Sequence, residues 1–164
     1  MDTTKESLLL IKKLAQNIEK WKKGNGISQR ELGKRSNLGE STLRAIKRGA
    51  QNIEIATLVK LKLAFSMDVS DLLKDNEKIP RILSQPLSLI AIKKAVISEQ
   101  IKVGKNISEV MKKKNIKPED LSIIASNTDY SDTIKYLKGQ INLTMITMLK
   151  FAYALEVDIW DLID

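Results

Sequence analysis

The chain has 164 residues, 43% of them apolar but only 4% aromatic, and a formal net charge of +8. That length suits one domain or two small ones with an aliphatic core, and the basic balance favours anionic partners such as nucleic acid. Cysteine and histidine are both absent, which excludes disulfides, thiolate chemistry, the usual zinc ligand sets and the Ser-His and Cys-His nucleophile pairs.

An enzyme is therefore the least favoured class, and neither a metal nor a cofactor is expected. Global charge is weak evidence by itself, because Lys, Ile and Asn are abundant throughout and an AT-rich genome produces the same bias. Where the charge sits matters more.

The N-terminus shows no signal-peptide pattern. Thr3-Thr4-Lys5-Glu6 has the S/T-x-x-E form of a capping box and predicts a helix to about Lys23, with Leu10, Leu14, Ile18 and Trp21 at helical spacing and Gly24-Asn25-Gly26 at its end. Ser28-Gln29-Arg30-Glu31 is a second capping box and opens a short helix. Asn37-Leu38-Gly39 makes a tight turn, and a third helix runs from Glu40 to about Lys47 and stops at Gly49. A fourth covers Ile53 to Phe65, and Asp68 caps a fifth through Leu73.

Residues 76–88, with Pro80 and Pro86, read as a linker. Ile79, Ile82, Leu83 and Leu87 make the stretch from 74 onward more apolar than a free tether. A long helix follows from Ser88 to Lys114, carrying Val103, Ile107 and Val110. Apolar runs such as Leu8–Ile11 and Leu89–Ile92 are far too short to span a bilayer, so a cytoplasmic protein without a membrane partner is expected. The dominant period is helical, which gives an all-α fold.

The two halves repeat. Asn17-Ile18 recurs as Asn106-Ile107, Ile27 as Ile116 and Glu31-Leu32 as Asp120-Leu121, at an offset of 89. Thr57, Leu58, Lys60 and Ala64 recur as Thr147, Met148, Lys150 and Ala154, and Asp68–Leu73 as Asp158–Ile163, at an offset of 90. This predicts one fold used twice: residues 1–75 and 89–164 as two domains of about five helices each, joined by 76–88.

From Ile27 to Gly49 the chain reads Ile-Ser-Gln-Arg-Glu-Leu-Gly-Lys-Arg-Ser-Asn-Leu-Gly-Glu-Ser-Thr-Leu-Arg-Ala-Ile-Lys-Arg-Gly. This closely resembles the helix-turn-helix of the lambda-repressor-like (Cro/XRE) family, and the likeness continues through Ile55, Thr57, Leu58, Leu61 and Ala64 to Asp71-Leu72-Leu73. Leu32, Leu38, Leu43 and Ile46 supply the buried side. The resemblance implies that Glu40, Ser41, Thr42, Arg44 and Ala45 face the bases of double-stranded DNA. It also implies that Gln29, Lys34, Arg35, Lys47 and Arg48 contact phosphate. Taken without the family pattern, Arg44 and Lys47 are a solvated helix face. Lys20, Lys22 and Lys23 either touch the DNA backbone or complement the helix dipole. Gly33 stands where the family usually has alanine, and Lys62 where it tends to have a small apolar residue.

The second copy differs. Residues 26–51 carry six basic and two acidic side chains, whereas 115–140 carry three basic and four acidic. Pro118 replaces the Gln29 equivalent, Asp129 and Asp132 fall near the start of its reading helix, and the spacing from Ile116 to Ile134 exceeds that from Ile27 to Leu43 by two. Carboxylates there repel phosphate. The expectation is a bacterial or phage DNA-binding regulator, most simply a repressor. Its first domain reads DNA, and its second makes a homodimer or contacts a protein partner through Tyr153, Trp160 and the helix from Ser88. The rival from another class is a protein-interaction module, an antitoxin or anti-repressor. A third arrangement has both copies on DNA, with Lys112-Lys113-Lys114 assisting.

Overall fold

The computed structural model describes residues 2–49, 52–126 and 128–164. Among them there are ten helices: α1 Thr3–Asn25, α2 Gln29–Ser36, α3 Glu40–Lys47, α4 Ile55–Phe65 and α5 Val69–Leu73, then α6 Leu89–Lys114, α7 Pro118–Ile124, α8 Tyr130–Leu137, α9 Met145–Ala154 and α10 Ile159–Ile163. An isolated antiparallel bridge joins Glu54 and Thr144. The all-α expectation holds.

The helix starts follow their caps. Ser28 accepts from Glu31 N at 3.1 Å, as its motif predicts. At the N-terminus the cap is Asp2, whose carboxylate accepts from Thr4 N and Lys5 N at 3.1 Å. The Thr3 capping box does not form, because a carboxylate one residue earlier caps the same orphan amides and draws Thr3 into the helix. On α1 the buried line is Ile11, Leu14, Ile18 and Trp21, with Leu10 only half-buried. Trp21 packs on Phe65 with ring centroids 5.0 Å apart. No helix among the described residues is long and apolar enough to cross a membrane.

The stretch after α5 is held down along its length. Trp21 Nε1 donates to Lys78 O at 3.2 Å, Asn25 Nδ2 to Pro80 O at 2.9 Å, and Ile82 N to Asn25 Oδ1 at 3.0 Å. Leu83 N then reaches Ala64 O, and Leu87 N reaches Arg35 O, both at 2.9 Å. Ile82 is buried. Residues expected to form a linker thus form a strap over α1, α2 and α4, with backbone bonds satisfied by the first half.

Backbone geometry recurs along the chain. Gly26 and Asn115, Asn37 and Ser126, Gly49 and Gly139, and Ser66 and Glu156 all adopt positive φ, between 51° and 66°. The first two pairs are 89 residues apart and the last two 90, the offsets at which the sequence repeats. Asn17 Nδ2 donates to Leu72 O, and Asn106 Nδ2 to Leu162 O, both at 3.0 Å. The recurring asparagine ties each long helix to the end of the fifth helix of its set.

Candidate nucleic-acid interface

The turn between α2 and α3 is tight. Asn37 takes the left-handed conformation and ends α2, and Leu38 N returns to Gly33 O at 2.9 Å. A Cβ on Gly33 would lie 2.7 Å from the Leu38 carbonyl oxygen, closer than atoms pack, so the departure from alanine at this position has a steric cause. Ser36 is buried and its hydroxyl donates to Leu32 O at 2.7 Å. Gly39 then caps α3 with no side chain in the way.

Leu43 and Ile46 pin one face of α3 to the core at 3% and 1% exposure. The helical period turns the others outward. Glu40, Ser41, Arg44, Lys47 and Arg48 are exposed, and Thr42 and Ala45 are half-buried at the flank. Among the described residues, Arg44 and Arg48 have no carboxylate within ion-pair distance, while Lys47 lies 3.9 Å from Glu19. That contact is between exposed groups and holds Lys47 weakly.

On α2, Gln29 is half-buried and Lys34 exposed. Arg35, expected at phosphate, has partners within the protein. Its Nε donates to Glu31 Oε1 at 2.6 Å and its Nη1 to Leu83 O at 3.1 Å. The guanidinium is committed to its own helix and the strap, and it holds the Glu31 carboxyl below its ordinary value. Lys20 donates to the Asn76 carbonyl and Lys22 pairs with Glu19 at 2.8 Å, so only Lys23 of that trio faces solvent freely. Arg30 was not singled out from the sequence. It is exposed, shares a face with Lys34, and has no ion pair among the described residues. A cation in the first turn of a helix opposes the dipole, and that was its signal.

The corresponding end of the second half is built otherwise. Positive φ at Gly49 and Gly139 and the main-chain bonds Leu43 N–Gly39 O and Thr133 N–Asp129 O align Leu43 with Thr133, not with Ile134. The extra length relative to the first half is one residue, and Thr133 is fully buried. Ile134 takes Arg44's place. Asp129 caps α8 through Asp132 N at 3.0 Å, and Asp132 pairs with Lys135 at 3.2 Å. Ile123 and Ile124, 68% and 51% exposed, stand at the positions of Lys34 and Arg35. Beside them Tyr130 donates to Glu119 Oε1 at 3.2 Å, and that carboxylate's charge raises the phenol's pKa.

Of the two residues expected at a dimer surface, Tyr153 is exposed. Trp160 is half-buried under Lys74, whose ammonium sits 4.4 Å from the indole centroid. Trp160 is thus partly covered by Lys74, a residue of the first half of its own chain.

Residues 18–72 match the model of a helix-turn-helix family. Among solved structures, the chain is similar to the restriction-modification controller protein C.AhdI from Aeromonas hydrophila, at 26% identity and a TM-score of 0.38, over 40% of this chain and 97% of that one. No curated relative matches.

Proposed function

We propose that this chain is a DNA-binding regulator of transcription, a repressor that reads the major groove with α3; the helix-turn-helix match at residues 18–72 supports the reading. The observation that carries the reading is the outer face of α3. Arg44 and Arg48 stand exposed and without ion pairs among the described residues, on a short helix fixed from behind by Leu43 and Ile46.

The chemistry of that face suits base edges. Arg44 pairs with guanine O6 and N7, Glu40 accepts from cytosine N4, and Ser41 takes either role. Thr42 and Ala45 offer methyl contacts to thymine. Gln29, Arg30, Lys34, Lys47 and Arg48 contact phosphate, which supplies affinity and orientation. Arg35 serves the strap instead.

In this reading residues 1–75 are the DNA-binding domain, 76–88 strap it to the rest, and 89–164 are a diverged copy that contacts protein. Replacement of Lys34 and Arg35 by exposed Ile123 and Ile124, beside acidic α7 and the Asp129 and Asp132 carboxylates at the start of α8, supports the last assignment. Carboxylates repel phosphate, and exposed apolar side chains favour a protein surface.

Selection of bound duplexes from a random pool at near-physiological salt tests the DNA reading. An enriched motif that weakens with Arg44→Ala supports it. No enrichment overturns it in favour of the interaction-module reading, in which a protein partner engages Ile123, Ile124 and Tyr130. Transcription from a promoter overlapping the motif falls on adding a repressor and rises with an activator.

A further inference from the structure

The contacts that join the two halves are themselves paired by the repeat. Residues 53–55 run antiparallel to 143–145: Ile55 N donates to Leu143 O at 2.9 Å, and Met145 N to Ile53 O at 2.7 Å. The two segments stand 90 residues apart in sequence. Just outside them, Ala56 N donates to Asn142 Oδ1 at 3.2 Å and Ile146 N to Asn52 Oδ1 at 3.1 Å. Adding 90 to the donor's number in one bond and subtracting 90 from its acceptor's gives the donor and acceptor of the other. Ile53, Ile55, Leu143 and Met145 are all buried, at 2% exposure or less.

The same exchange holds for the helices. α4 packs on α6 and α9 packs on α1, while α5 meets α10. Swapping the halves maps the first contact onto the second and the third onto itself. That is the property of an isologous two-fold interface, realised here within one chain about the Glu54–Thr144 bridge.

Several side-chain pairs across the junction break the symmetry, and one of them is enclosed. Lys62 of α4 reaches Glu99 of α6 at 2.8 Å, and Glu99 is only 5% exposed. The positions related to these by the repeat are Ala152 and Leu10. Two first halves docked in this way would set Lys62 against Leu10 twice. Two second halves would bury Glu99 against Ala152, leaving only Lys102 of its own helix, at 3.4 Å, to face it. A buried charge deprived of its partner is strongly destabilising, so the mixed pair is the favoured one.

We propose that this chain is a self-contained pseudo-dimer. Its second half occupies, on the first, the surface on which another copy would dock, and the protein acts as a monomer with one basic reading end. This replaces the homodimer expected from the sequence. One consequence rests on the DNA-reading role of α3: the bound site has a single strongly read half and is not palindromic.

The chain has no cysteine, so Glu54→Cys with Thr144→Cys provides a clean test. The bonds flanking this pair make it the non-hydrogen-bonded kind, with Cα atoms about 4.5 Å apart, within disulfide reach. After oxidation the expected product migrates as a monomer on a non-reducing denaturing gel, faster than its reduced form. The unmodified chain should weigh 18.5 kDa by sedimentation equilibrium from micromolar to near-millimolar concentration.

Covalent dimers, or a mass that doubles with concentration, overturn the proposal. If the double variant does not fold, the sedimentation mass decides alone. Absence of DNA binding from a chain of monomeric mass would remove the α3 reading and leave the pseudo-dimer standing. A palindromic site bound by two chains would remove the pseudo-dimer and leave the reading.

Discussion

Lys62 and Glu99 meet at 2.8 Å across the junction of the two halves, with Glu99 almost wholly enclosed. Lys62 departs from the pattern of the family that the sequence resembles, and its ammonium has no ion pair inside its own half among the described residues. Its partner lies 37 residues further on, in α6.

This pair predicts a double-mutant signature. Lys62→Leu alone leaves Glu99 enclosed beside Lys102 and should cost roughly 1–3 kcal/mol in urea unfolding. Lys62→Leu combined with Glu99→Leu should recover most of that loss or exceed the parent, because apolar replacement of an enclosed ion pair is often neutral or stabilising. Additive losses would show that the two residues are not coupled.

Gly33→Ala should destabilise, against its helix propensity. Alanine in a helix interior is favoured by about 1 kcal/mol over glycine. Here its Cβ would lie 2.7 Å from the Leu38 carbonyl oxygen, and overpacking of that kind costs about 1–3 kcal/mol. The turn aims α3, so DNA affinity should fall with the melting temperature. A gain in stability would mean that the turn relaxes freely.

Gly104→Ala gives a control at a distance from α3. Its Cβ would lie 2.6 Å from the carbonyl oxygens of Tyr136 and Leu137, where α6 crosses the end of α8. Thermal unfolding should report a loss similar to that of Gly33→Ala, with DNA affinity of the folded protein unchanged.

Arg44→Ala should cost about 1–3 kcal/mol on the preferred site and relax specificity at one base pair. Lys34→Ala should weaken all sequences alike and reduce the salt slope by about one. Titrations at several salt concentrations separate the two. Equal effects of Arg44→Ala on specific and random duplexes would move Arg44 to the phosphate set.

Arg35→Ala should leave the salt slope unchanged and lower stability instead, since its guanidinium holds Glu31 and the Leu83 carbonyl. The pH dependence has a definite sign. Arg35 lowers the Glu31 pKa below its ordinary 4.5, so the folded state binds this proton less readily than the unfolded chain. The stabilisation is present above pH 4.5 and fades as pH falls through the depressed folded value. Glu31→Gln should remove that part of the acid dependence, read as the urea midpoint against pH.

The sequence by itself determined the helices and the buried side of α3. Caps, glycine stops and apolar periodicity are local, and they placed α2, α3 and α6 within a residue or two of where they lie. The buried side of α3 followed from Leu43 and Ile46, because three-residue spacing fixes a face. The outward set came from the family resemblance, and Thr42 and Ala45 of that set lie half-buried. The Asn17 and Asn106 recurrence was legible as well, though not its purpose of tying a long helix to Leu72 O or Leu162 O.

Only the tertiary structure decided which cations are free and which surfaces remain open. Arg35 and Lys34 are neighbours in sequence and equally basic, yet a strap arriving from residue 83 takes one and leaves the other. The alignment of Leu43 with Thr133 needed the backbone, since a threonine carries no apolar signal to mark a core position. Trp160 suggested a surface for another molecule and lies against Lys74 of its own chain. Each of these depends on contacts between residues far apart in sequence, which no local period encodes.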